Sequence, residues 1–101
     1  MPGTLDPEEI LSRLLGSVSR ARILEFLVSQ PGRAFYQREI LFETGLTLQP
    51  AQRELKNLFE LGIIKRRETA DKVYYEADTL SPLFKPLSQI CQFGQEQSGE
   101  R

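Results

Sequence analysis

The chain has no histidine and no tryptophan, and one cysteine, Cys91, among its 101 residues. Without a second thiol or an imidazole, one chain cannot build a disulfide framework, a CxxC redox pair or a thiolate–imidazole metal cage. Chemistry that runs on a histidine base is excluded too, and no convergent carboxylate pair or Gly-rich phosphate loop takes its place. The expectation is no enzyme, no cofactor and no metal. No apolar run approaches the ~18 residues that a membrane span needs. The opening Met1-Pro-Gly-Thr-Leu-Asp lacks a basic segment followed by an apolar one, so it does not read as a secretory signal. Neither sign of charge dominates: 13 basic side chains face 14 acidic ones, for a net charge of -1. A length of 101 residues with 40% apolar content allows one domain with one modest core. The default is a small soluble cytoplasmic protein.

The near-zero net charge hides a gradient. Residues 1–16 sum to -2, residues 17–75 to +3 and residues 76–101 to -2. A neutral protein still binds an anion if its basic groups share one face.

Helical spacing and caps mark the elements. Residues 7–16 read as a short helix with Asp6 as N-cap, Pro7 in the first position and Gly16 as the stop. Its stripe is Ile10, Leu11, Leu14 and Leu15. A second helix covers 17–29, capped by Ser17 or Ser19, with Ala21, Ile23, Leu24, Leu27 and Val28 buried. Gln30-Pro31-Gly32 ends it. Ala34-Phe35-Tyr36 is a brief extended segment. A third helix spans Gln37 to Thr44 with Ile40 and Leu41 inward, and Gly45-Leu46-Thr47 is a tight turn in which Gly45 takes positive φ. Thr47 caps a fourth helix to about Leu61, with Pro50 in its first turn. Residues 63–68 and 72–77 are strands joined by Thr69-Ala70-Asp71, a hairpin rich in β-branched and aromatic residues. A last helix opens near Ser81-Pro82 or Lys85 and reaches about Phe93. The fold class is mainly α with a small β-hairpin. One domain covers 7–93, between a flexible N-terminus, 1–6, and a flexible polar tail, 94–101.

A short helix, a glycine turn and a longer helix make a helix-turn-helix candidate at 37–61, and the hairpin follows as a wing. At 100° per residue, Leu48, Ala51, Leu55, Leu58 and Phe59 of the fourth helix share roughly a 100° arc. Gln49, Arg53, Lys56 and Asn57 point away from it, with Gln52 at the edge and Glu54 on a flank. Arginine pairs with guanine edges and glutamine with adenine edges. A recognition helix enters the major groove N-terminal half first. Arg66, Arg67 and Lys72 stand on or beside the hairpin, and Arg20 and Arg22 open the second helix, where solvation or a pair with Glu25 is the alternative. Tyr74 and Tyr75 alternate, so one packs inward and one stands outward. Phe35, Tyr36 and Phe42 read as core, and Cys91 as a small buried hydrophobe.

The runs Leu15-Gly-Ser-Val-Ser-Arg-Ala-Arg-Ile-Leu-Glu-Phe-Leu, Pro31-Gly-Arg-Ala-Phe-Tyr-Gln-Arg-Glu-Ile, Gln52-Arg-Glu-Leu-Lys-Asn-Leu-Phe-Glu-Leu-Gly-Ile-Ile, Tyr74-Tyr-Glu-Ala and Pro82-Leu-Phe resemble small winged-helix regulators of the ArsR-like superfamily. The branch often associated with minimal nucleotidyltransferases is the most similar. The resemblance covers about residues 9–93. It implies a homodimeric, sequence-specific DNA-binding regulator, with Gln49, Gln52, Arg53 and Lys56 on the reader helix and Arg67 and Lys72 on the wing. Gln37, at the start of the third helix, joins this candidate DNA face. The paired Cys or His ligands of metal-sensing members have no counterpart here.

One reader helix buries too little for tight selective binding, and two-fold pairing doubles the contacts. Ile10, Leu11, Leu14, Leu87, Ile90 and Phe93 on the first and last helices are the expected dimer seam. The competing expectation is a winged-helix module that binds protein, such as the partner of a separate nucleotidyltransferase.

Overall fold

A computed structural model describes the backbone of residues 6–99 and side chains as far as Phe93. Of the expected terminal segments, residues 1–5 and 100–101 lie outside the described residues. The described chain contains five helices and a three-stranded antiparallel sheet. The order is α1 (Pro7–Leu15), α2 (Val18–Val28), β1 (Phe35–Tyr36), α3 (Gln37–Thr44), α4 (Leu48–Glu60), β2 (Ile64–Glu68), β3 (Val73–Ala77) and α5 (Phe84–Gly99). No described helix is long and apolar enough to cross a membrane.

Local chemistry sets the helix ends. The Asp6 carboxylate accepts the Glu9 amide at 2.8 Å, and Ser17 Oγ accepts the Arg20 amide at 3.1 Å. The helix-ending Gly16 and Gly45 adopt φ of 80° and 71°, a region that costs an L side chain. The α3–α4 turn is tightened by Thr44, whose hydroxyl donates to the Ile40 carbonyl at 2.6 Å and accepts the Leu46 amide. α5 runs to Gly99, beyond the expected end near Phe93. Gln95, Glu96 and Gln97 carry small helix-propensity costs, so the helix continues past Gly94, which costs roughly 1 kcal/mol relative to Ala.

α2 lies at the centre and packs on α1, α3, α4 and α5. The core joins Ile23, Leu24, Leu27 and Val28 of α2 to Ile40 of α3, Ala51, Leu55 and Leu58 of α4, and Ile63, Ile64, Ala77 and Cys91. Strand order is β1-β3-β2, so the brief extended segment is a true edge strand. Phe35 pairs with Tyr75 and Tyr36 with Tyr74, while Arg66 and Arg67 lie opposite Tyr75 and Tyr74 on the hairpin.

Several expectations need correction. Leu48 is exposed, because it opens α4 beyond the edge of the core. Phe59 is also exposed, at the far end of the same helix. Phe42, expected inside, is 83% exposed on α3, whereas Phe35 is buried. Glu54 is not on a solvated flank; it is 5% exposed, because α2 covers that side of α4. Leu11 is 1% exposed, enclosed by its own chain, and cannot form part of a seam between copies.

Candidate nucleic-acid interface

α4 and the hairpin enclose the candidate face. Gln49, Gln52, Arg53 and Lys56 are all exposed on α4, and none has a hydrogen-bond or ion-pair partner among the described residues. Asn57 is turned partly inward and donates to Glu54 at 3.3 Å. The Thr47 hydroxyl makes no cap bond, so the first-turn amides of α4 keep no side-chain acceptor. Between α4 and the hairpin runs a cleft of about 370 Å³ whose lining includes Gln37, Gln52, Lys56, Phe59, Arg66 and Tyr75. A neighbouring cleft of about 520 Å³ continues it past Gln37, Gln52 and Arg66 to Lys72. Gln37, Gln52, Lys56 and Arg66 therefore share one groove.

The hairpin cations divide. The pleat puts Arg66 and Tyr75 on the side that faces α4 and Arg67 and Tyr74 on the opposite side, while Lys72, just before β3, borders the cleft shared with Gln37, Gln52 and Arg66. Tyr75 packs against the core, as one of the two tyrosines must. Arg66 pairs with Glu68 at 2.9 Å, and Arg67 with Glu76. The Arg66–Glu68 pair is open to solvent on both sides and holds its arginine weakly, whereas the Glu76 carboxylate is 12% exposed and ties Arg67 more firmly.

Arg20 is committed to the interior, and Arg22, though its pair with Glu8 is open to solvent, is turned to its own chain. Arg20 Nε donates to Glu54 Oε1 at 2.9 Å, Nη2 to Oε2 at 3.4 Å and Nη1 to the Leu15 carbonyl at 2.8 Å. The hydrogen bond from Arg20 to Glu54 raises the guanidinium pKa further. Arg22 donates to Glu8 at 2.9 Å and to the Thr44 carbonyl at 3.3 Å, and does not pair with Glu25. Each guanidinium thus satisfies the last carbonyl of a neighbouring helix, α1 or α3, and takes a carboxylate from another element. Both belong to the scaffold that aims α3 and α4 rather than to the face itself. Glu54 reads in the sequence as a flank residue of α4; its spacing, three residues after Ala51 and four before Leu58, is the one local signal that could have placed it inward.

Of the expected seam, Leu14 is 63% exposed and Phe93 40% exposed, while Ile10, Leu87 and Ile90 are half-buried. α1 and α5 pack on each other, so these residues stand on adjoining helices.

Cys91 is buried, and desolvation, with a lesser push from Glu25, raises its thiol to about 11. A neutral buried thiol is a poor nucleophile. A thiol reagent at pH 8 is expected to leave the native protein unmodified and to label it fully in denaturant. Rapid labelling of the native state would show that α5 opens. The half-buried Glu25 is itself shifted upward, by desolvation first and by Glu8 second. Among the described residues no cluster of His, Cys, Asp and Glu is placed to hold a metal ion.

No protein-family model, curated protein or solved structure matches the chain.

Proposed function

We propose that the chain is a winged helix-turn-helix regulator of the ArsR-like kind, binding double-stranded DNA sequence-specifically in the cytoplasm as a homodimer. In this reading α4 lies in the major groove, with the β2–β3 hairpin on the backbone or the adjacent minor groove. The observation that carries it is the contrast among the basic side chains. Arg20 and Arg22 are tied into the scaffold, whereas Gln49, Gln52, Arg53 and Lys56 stand together on α4 without intramolecular partners. Unpaired amides and cations on one exposed helical face match base edges and phosphates. The free first-turn amides of α4 add a place for a phosphate. Arg66 extends the positive groove toward the duplex backbone.

The test is selection of bound sites from random duplex DNA, followed by substitution. Arg53→Ala is expected to cost about 1–3 kcal/mol and to relax preference at one base position. Arg66→Ala is expected to weaken all sequences alike and to reduce the salt slope by about 1. No enrichment, or no effect of either substitution, removes the groove reading.

A second reading, a module that docks protein, is favoured by Phe42. That ring stands in a cleft of about 430 Å³ lined also by Arg33, Phe35, Arg38, Glu39 and Glu43. Under that reading Arg53→Glu is harmless and Phe42→Ala abolishes the interaction.

A further inference from the structure

The sheet has a second face, and its composition differs from that of the groove. Phe35, Ile64, Arg66, Tyr75 and Ala77 alternate onto the side packed on the helices. Tyr36, Tyr74, Lys65, Arg67 and Glu76 alternate onto the other. There the rings of Tyr36 and Tyr74 meet edge to face across β1 and β3, with centroids 5.2 Å apart and planes at 70°. The Lys72 ammonium lies 4.8 Å from the Tyr36 ring centre, and the Arg38 guanidinium 5.5 Å from it. Tyr36 is thereby held by cations, and it buttresses Tyr74, which is half-buried with Arg67 directly opposite. Lys65, Arg67, Lys72 and Arg38 surround the two rings and are all exposed. The carboxylate on the strands of this face is Glu76, which lies 3.9 Å from Lys65 and pairs with Arg67, and Asp71 stands beside Lys72 at its border.

We propose that this outer sheet face binds single-stranded nucleic acid, with a base stacked on Tyr74 and the flanking phosphates on Lys65, Arg67 and Lys72. An aromatic platform ringed by cations recognises a strand without reading its sequence, because every base has a π-face and every nucleotide a phosphate. An intact duplex hides its base faces, so the cations alone would meet it here. Tyr36, Arg38 and Lys72 border the cleft that also holds Gln37, Gln52 and Arg66, so this surface adjoins the one assigned to duplex DNA, while Tyr74, Arg67 and Lys65 line a separate hollow away from α4. A strand phosphate competes with Glu76 for Arg67 and Lys65, so the carboxylate holds the affinity down.

The test is fluorescence anisotropy at low salt with labelled oligo-dT and oligo-rU of about twelve nucleotides. Tyr74→Ala is expected to weaken binding about 5- to 150-fold, the range for loss of one base–aromatic stack. Tyr74→Phe retains it, and Glu76→Gln, which keeps the fold's shape, strengthens it several-fold. Arg53→Ala leaves strand binding unchanged while weakening duplex binding. The proposal is overturned if neither the natural protein nor Glu76→Gln binds either strand. It is also overturned if Tyr74→Ala is neutral, as an acidic peptide site would give, or if Arg53→Ala costs as much as Tyr74→Ala. Binding of one oligonucleotide but not the other identifies the sugar and upholds the platform. A duplex assay with Tyr74→Ala keeps the two surfaces distinguishable, because loss of strand binding alone leaves the α4 reading intact.

Discussion

Replacing Arg20 with alanine is expected to destabilise the protein by about 2–4 kcal/mol, somewhat below the usual cost of breaking a fully buried pair because the guanidinium side chain is one-third exposed. The loss comes less from the missing attraction than from what remains. Glu54 stays inside as a carboxylate whose other described partner is Asn57, and the Leu15 carbonyl at the end of α1 loses its donor. At about 4–8 °C per kcal/mol for a domain of this size, the melting temperature falls by roughly 8–30 °C. The double replacement Arg20→Met with Glu54→Leu removes both charges and fills the space with apolar atoms, so most of the stability returns. Urea unfolding of the two variants measures the difference. A cost below about 1 kcal/mol for Arg20→Ala would show that the pair is ornamental to folding. In duplex binding, the double variant keeps the natural salt slope, since Arg20 touches no phosphate in this arrangement.

The second large effect concerns association. Leu14 and Phe93 are apolar, exposed and carried by adjoining helices. Aspartate at Leu14 disturbs little within the chain, and aspartate at Phe93 gives up part of that ring's own-chain packing. Circular dichroism checks that each subunit still folds, while each subunit now brings two like charges to any seam of these helices. Light scattering at micromolar concentration is expected to give a dimer for the natural protein and a monomer for Leu14→Asp with Phe93→Asp. Affinity for a two-fold operator then falls by about 10²–10⁴, because the second half-site no longer binds as an intramolecular event. Affinity for a single half-site does not change. A natural protein that is already monomeric refutes the seam outright.

The elements were legible from caps and periodicity because those signals are local. Asp6, Ser17, Gly16 and Gly45 each act within a turn of their own position. The buried face of α2 followed from its spacing for the same reason. What escaped the sequence depends on partners far along the chain. Glu54 reads as a surface acid until Arg20, on another helix, is placed against it. Phe42 reads as core because aromatic rings usually are, but α3 is short and its one buried stripe is already filled by Ile40. On the candidate face, helical geometry alone found Gln49, Arg53 and Lys56. It could not separate Arg66 from Arg67, because nothing in the sequence tells which side of a hairpin meets a helix. The tyrosine pair on the outer sheet face needed the β1–β3 register, which joins Tyr36 to Tyr74 across the whole α3–α4 segment.

That same register makes β1 a clasp. Only Phe35 and Tyr36 of β1 pair with β3, yet they close the loop that contains α3, the turn and α4. So short a neck ties the start of α3 to the hairpin with few backbone hydrogen bonds, while Ile40, Ala51, Leu55 and Leu58 keep α3 and α4 seated on α2. Opening the clasp would therefore loosen the sheet edge beside α3 first and leave the pose of α4 to its packing on α2.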